Sequence, residues 1–187
     1  MNKFRSEQSG RSMVEMLGVL AIIGVLSVGG IAGYSKAMAK FKLSKAMDQV
    51  SNVVTNIRTL YSGQPNYSGL STSVAIQMGA IGAEMLNGVS PTTATTAYNA
   101  FNGLITVASS NSNRTFTVTF EGLGKEACVS LMTSDWGSGS GSGLVSIGKK
   151  GSALGTTASG TLPVGLATAA TNCNTAGDTN SVEWIYY

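Results

Sequence analysis

The two cysteines of this 187-residue chain, Cys128 and Cys173, are its most specific candidates for side-chain chemistry. The chain has no other cysteine and no histidine, so the pair falls short of the four ligands of a structural zinc site. Two cysteines in an exported domain typically form a disulfide, which would stabilise the fold by about 4 kcal/mol through loop closure. Two buried free thiols are the alternative that the sequence leaves open.

The remaining polar residues do not form a catalytic set. Without histidine, neither a histidine-based triad nor a histidine metal site is available. Serine-rich stretches supply hydroxyl groups, but the chain offers no base to activate them. Three acidic residues of the second half, Asp135, Asp178 and Glu183, are too scattered for a calcium cage. We therefore expect no enzymatic activity, no cofactor and no metal.

The charge pattern also argues against a nucleic-acid partner. Lys and Arg total 12 and Asp and Glu total 9, which gives a net charge of +3 spread along the chain. The adjacent residues Lys149 and Lys150 could touch DNA, but two lysines in a turn are usually only solvated. We expect no binding of nucleic acid.

A single carboxylate, Glu15, stands directly before twenty uncharged residues, 16–35. As a helix this segment would span roughly 30 Å, the thickness of a bilayer's hydrocarbon core. An unpaired carboxylate beside such a segment is costly, so Glu15 either lies among lipid headgroups or pairs with a positive group. Lys3 and Arg5 precede the segment, and positive residues there favour a cytoplasmic N-terminus.

The helix is predicted to continue beyond the apolar segment. Apolar residues recur mostly every three or four positions from Phe41 to Tyr61, with lysines, asparagines and Asp48 between them. This spacing predicts an amphipathic helix that buries one face. Gly63 and Pro65 are typical of a helix end. The sequence therefore predicts one helix from about Ser12 to Tyr61.

Two processing hypotheses follow from this N-terminal region. A secretory signal would be cut after the apolar segment, near Ala37–Ala39, and would release a soluble binding domain. Against it, lysines crowd that position and the amphipathic pattern runs through it. The other hypothesis places the cut before the apolar segment, between Gly10 and Arg11.

The residues around that second position resemble the class III signal of the type IV pilins. The match is GRSMVEML at residues 10–17, in which Gly10 corresponds to the family's leader glycine and Glu15 to its glutamate at mature position five. Arg11 departs from the Phe, Met or Leu usual at the first mature position. The resemblance implies removal of residues 1–10 by a prepilin peptidase and N-methylation at Arg11. It also implies pairing of Glu15 with the N-terminal amine of a neighbouring subunit.

Two later stretches resemble the type IVb subclass. YSGQ at residues 61–64 is followed by YSGL at 67–70, and KEACVSL at 125–131 is similar to the subclass's short helix with the first cysteine. By this resemblance, a disulfide between Cys128 and Cys173 would bound the exposed D-region, residues 128–173.

The resemblance implies an α+β fold, the type IV pilin fold. It has a long N-terminal helical spine, an antiparallel β-sheet head and one disulfide. Residues 11–35 would be the transmembrane and filament-core half of the helix, 36–61 its amphipathic half, and 62–187 the head. Local patterns predict helices over 71–86 and 125–133, and strands over 104–108, 115–121, 144–147 and 182–187, the last of these central in the sheet.

The implied function is that of a structural subunit which polymerises into a type IV pilus used for adhesion, aggregation or DNA transfer. The implied partners are copies of the chain, a prepilin peptidase and an inner-membrane assembly platform with its motor ATPase. The precursor would sit in the inner membrane and the product in an extracellular pilus. A pseudopilin or minor pilin of a type IV pilus-like or type II secretion machine is an alternative. So is a single-pass membrane protein or secreted domain with a binding head and no polymer.

Overall fold

A computed structural model describes residues 8–139 and 141–187, with side chains from residue 13 onward. The chain divides into two compact units after Phe41, the second comprising residues 42–187. The elements in chain order are α1 (Gln8–Tyr61), α2 (Thr72–Gln77), a 3₁₀ turn (Ala83–Met85), β1 (Ala97–Tyr98), β2 (Leu104–Ser110), β3 (Thr115–Leu123), α3 (Lys125–Thr133), β4 (Leu144–Lys149), β5 (Ser152–Thr156), α4 (Leu166–Asn172) and β6 (Asn180–Tyr186).

The head is built on one six-stranded antiparallel sheet with the order β1-β2-β3-β6-β4-β5. Strand β6 lies in the middle and pairs with both β3 and β4, which confirms the predicted central position of the last strand. Alternate residues of the central strands face the core, because successive side chains of a strand point to opposite faces. Phe116, Val118 and Phe120 of β3 are fully buried, as are Val182 and Trp184 of β6.

Within residues 42–187, α1 packs one face into the core. Val50, Val54 and Ile57 of the predicted apolar face are buried, and the structure adds Ala46 and Val53 to that face. These side chains belong to one core cluster with buried side chains of the sheet, and their burial, not intrinsic helix propensity, supplies most of the stability of this half of the helix.

Phe41 does not belong to that buried face. Its side chain is 62% exposed, although its spacing fits the apolar pattern. It is the last residue of the first unit, and the buried residues of the helix begin at Ala46. Periodicity alone cannot locate the turn at which a core starts, so the prediction for Phe41 was wrong.

The disulfide Cys128–Cys173 is present and joins α3 to the end of α4. The two Cα atoms are 5.8 Å apart, and both cysteines are buried. Helix α3 spans the predicted residues and turns Leu131 and Met132 into the core. The disulfide therefore ties two short helices that pack against each other, and α3 also packs against β6.

Several local predictions needed correction. The helix expected over 71–86 is two pieces, because Gly79 adopts φ +75°, a left-handed conformation that ends α2. Ser71 caps α2 by accepting a hydrogen bond from the Val74 N–H. Strands β1 and β5 and helix α4 were not predicted. Their sequences are short, rich in Ala, Ser, Thr and Gly, and carry no clear periodicity.

Two amide side chains, the buried Gln49 and the exposed Asn56, fix the rotation of α1 against the rest of the head. The Gln49 side chain accepts a hydrogen bond from the Ala100 N–H at 2.9 Å. Asn56 donates to the Ala80 carbonyl at 3.2 Å. Because each amide satisfies a backbone group of a different loop, the helix cannot rotate without leaving both groups unpaired.

Arg58 fastens the same helix to the end of the central strand. Its Nε donates to the Tyr187 carbonyl at 3.0 Å, and its guanidinium lies 5.5 Å from the ring centre of Tyr186. The Tyr187 N–H donates to the carbonyl of Gly143 at 2.8 Å. Gly143 has φ +72°, which favours glycine, and a Cβ there would displace the Arg58 guanidinium from this contact.

The burial of the Tyr186 hydroxyl can be tested by measuring the free energy of unfolding at alkaline pH. Burial raises the pKa of Tyr186 to about 12, against the smaller opposing effect of Arg58. The native state therefore keeps the phenolic proton between pH 10 and 12, where the unfolded chain loses it. The stabilisation is complete below pH 10 and is lost as the pH rises towards 12, amounting to about 2–3 kcal/mol. Denaturant titrations across this range should show that loss.

In Tyr186→Phe the loss between pH 10 and 12 should shrink. Tyr187→Phe is the matched control, because Tyr187 is 62% exposed, and it should follow the wild type. A Tyr186→Phe variant that loses as much stability as the wild type would contradict the burial of this hydroxyl as the cause.

Candidate assembly segment

The first half of α1 exposes large apolar side chains on every side. From Met13 to Tyr34 these side chains are between 52% and 75% exposed, with Val25 the most exposed. Within the described residues, α1 is the one helix whose length and composition suit a membrane crossing. A helix that is apolar all round is stable only in an apolar environment, which a bilayer or other copies of the same helix can provide.

Glu15 lies at the start of this segment with an exposed side chain. In the described part of the chain the one ion pair joins Lys150 and Glu121, so Glu15 has no cationic partner there. The next cation along the chain is Lys36, 21 residues away and about 30 Å along a helix, which is beyond the reach of a side chain. A positive group for Glu15 must come from its N-terminal side or from another molecule.

The predicted cleavage position lies within the helical backbone. Helix α1 begins at Gln8 and runs through Gly10 and Arg11, four residues earlier than the predicted start at Ser12. The side chains of residues 8–12 and the leader residues 1–7 lie outside the described part of the structure. Leader cleavage and N-methylation at Arg11 therefore stay predictions.

Of the three acidic side chains considered for a metal, Asp135 and Glu183 are hydrogen-bonded within the protein and Asp178 is exposed. Asp135 accepts hydrogen bonds from the N–H groups of Gly137 and Ser138. The two carboxylate oxygens of Glu183 accept from the Thr119 hydroxyl and the Gly151 N–H, each at 3.2 Å. Among the described residues, no three acidic, cysteine or histidine side chains come together as metal ligands do.

One lysine of the pair considered for DNA forms an ion pair within the protein. Lys150 donates to the Glu121 carboxylate at 2.5 Å. This hydrogen bond, reinforced by the negative charge, raises the pKa of Lys150. Both lysines are exposed, and Lys149, the last residue of β4, is left as a single solvated cation and not a basic patch.

Comparison with known proteins connects these features to one family. A family model described as "PilS N terminal" matches residues 41–186. The chain is 31% identical to the major structural subunit of bundle-forming pilus from Escherichia coli O127:H6, over 99% of this chain and 96% of that protein. It is 26% identical to the toxin coregulated pilin of Vibrio cholerae, over 70% of this chain and 59% of that protein.

Among solved structures, the chain is similar to the type IVb pilin from Salmonella typhi. The match has a TM-score of 0.55 at 26% identity and covers 78% of this chain and 97% of that one. The assembly segment, the central last strand and the disulfide are thus found in a chain similar to pilus subunits along almost its whole length.

Proposed function

The chain belongs to the PilS family and is a type IVb-like pilin that forms a pilus, and we propose that residues 11–35 form the filament core after cleavage behind Gly10. The observation that carries this mechanism is the combination in α1 of an apolar surface exposed on all sides with Glu15 at its start, which has no cationic partner among the described side chains. Neighbouring copies of the same segment can cover the apolar surface.

Cleavage would create the charge that Glu15 lacks. The peptide bond between Gly10 and Arg11 carries no charge, whereas the new amine at Arg11 is positive, and methylation keeps it so. In a filament core of low dielectric, an amine and a carboxylate from adjacent subunits compensate each other. A register in which they fail to meet would leave two uncompensated charges, so the pair selects one register.

The remaining partners follow from the same route. We propose an inner-membrane precursor whose N-terminus faces the cytoplasm, where Lys3 and Arg5 favour its retention. A prepilin peptidase would remove residues 1–10, and an assembly platform with a motor ATPase would extract the mature chain into the pilus. None of these steps requires a nucleotide or metal site in the chain itself.

Replacing the carboxylate tests this mechanism. In Glu15→Ala the buried amine of the neighbouring subunit has no counter-charge, and loss of one partner of a buried pair typically costs about 3–5 kcal/mol. We expect at least a tenfold fall in the pilin recovered from sheared surface filaments, with unchanged amounts in the membrane fraction, both measured by immunoblot.

Glu126→Ala is the matched control, since Glu126 is an exposed carboxylate in the first turn of α3. It should assemble like the wild type. Assembly of Glu15→Ala at the wild-type level would refute the charge-pair mechanism, and unchanged surface behaviour without any filament would favour a membrane-anchored binding protein.

A second proposal concerns what the filaments do. One relative is a subunit of a bundle-forming pilus, and we propose that filaments of this chain also associate side by side. Residues 42–187 carry seven Lys and Arg and seven Asp and Glu residues, so this unit has a formal net charge of zero. Proteins with little net charge lack the long-range repulsion that keeps molecules apart.

Adding charge to exposed positions tests the lateral association. The double variant Thr95→Lys and Thr168→Lys adds two charges per subunit at exposed residues. We expect less bundling of purified filaments at low salt, measured by turbidity and low-speed sedimentation, and recovery near 0.5 M salt as the charges are screened. The control is Thr95→Gln with Thr168→Gln. Equal bundling of the Lys and Gln variants at low salt would contradict the proposal.

A further inference from the structure

Four lysines follow the apolar segment within ten residues. They are Lys36, Lys40, Lys42 and Lys45, and the chain has no acidic residue between Glu15 and Asp48. Lys36, Lys40 and Lys45 are exposed, and Lys42 is half-buried. In the described part of the chain none of the four takes part in an ion pair. This lysine run, residues 36–45, is therefore a dense positive charge with no acidic partner among the described side chains.

The surroundings of the lysine run are those of a membrane interface. Tyr34, at the end of the apolar segment, is 68% exposed, and tyrosine is enriched where a membrane meets water. Side chains on a helix lean towards its N-terminus, which here is the direction of the apolar segment. The ammonium groups of the lysine run thus lean back towards the level at which lipid headgroups would lie.

Membrane topology does not account for these lysines. Positive residues determine orientation by staying in the cytoplasm, and Lys3 and Arg5 already supply that signal before the apolar segment. The lysine run lies after the segment, on the side that would be translocated, where positive charge opposes insertion. We therefore expect a favourable interaction of the lysine run on the side of the membrane to which it is translocated.

We propose that the lysine run binds the anionic phosphate headgroups of phospholipids around the membrane-inserted chain. This inference rests on the membrane stage proposed above. At 100° per residue, Lys36 and Lys40 lie on one side of a helix, whereas Lys42 and Lys45 lie towards the other. A headgroup layer surrounds a helix on all sides, whereas the surface of a neighbouring protein contacts one face. The distribution of the lysines therefore favours lipid as the partner. The lysine run would gather anionic lipids around the pilin before assembly.

The test uses the full chain in nanodiscs of zwitterionic and anionic phospholipids at a 3:1 ratio. Native mass spectrometry after gentle release from the disc counts the lipids of each class that stay bound. We expect anionic lipids to be enriched at least threefold over their share of the disc, and less so at 0.5 M salt. The variant Lys36→Gln, Lys40→Gln, Lys42→Gln and Lys45→Gln should return the ratio to that of the disc.

The matched control removes four charges elsewhere, by Arg114→Gln, Lys125→Gln, Lys149→Gln and Lys150→Gln, and should keep the enrichment. A wild-type ratio equal to that of the disc would overturn the proposal, as would equal losses in both variants. Carbodiimide cross-links from the lysine run to carboxylates of another copy, without lipid enrichment, would assign the run to a protein contact instead. Failure of the chain to enter nanodiscs at all would refute the membrane stage itself.

Discussion

The rest of this molecule depends on one constraint, which is that the apolar surface of residues 16–35 has to be covered on every side. Lipid tails can cover it before assembly, and copies of the same helix can cover it in the pilus. Because lipid is as apolar as leucine, apolar contact alone gives little preference for the filament over the membrane. Discrimination must come from polar interactions, and Glu15 is the one acidic residue placed to provide it.

The second half of α1 packs against the head instead of lipid or other helices. There it buries one face and becomes part of a head with its own core. The amide contacts of Gln49 and Asn56, and the contact of Arg58 with the end of β6, tie the helix to three separate parts of that head. Since β6 is central in the sheet, the helix is attached to a strand that is held from both sides. A pull on the helix is thereby transmitted to the middle of the sheet and not to an edge strand.

Much of this arrangement could be predicted from the sequence because its signals are strong and local. Twenty uncharged residues, an amphipathic continuation to Tyr61, alternating residues in β3 and a lone cysteine pair each point to one structure. Other elements lack such signals: β5 and α4 consist mostly of small residues, and tertiary contacts decide their conformation. The contacts of Arg58 with Tyr186 and Tyr187 join residues almost 130 positions apart, and no local pattern indicates such a pairing. Glu15 was predictable as an unusual charge, but the partner proposed for it is an amine of another subunit, which a single chain does not contain.

The central claim is that cleavage behind Gly10 frees the amine that Glu15 requires. Intact-mass spectrometry of the pilin from sheared filaments tests it most directly. The account predicts a chain that begins at Arg11, carries one additional methyl group and lacks two hydrogens because of the disulfide. A filament subunit that retains residues 1–10 would contradict the account, as would a soluble chain that begins near Lys40.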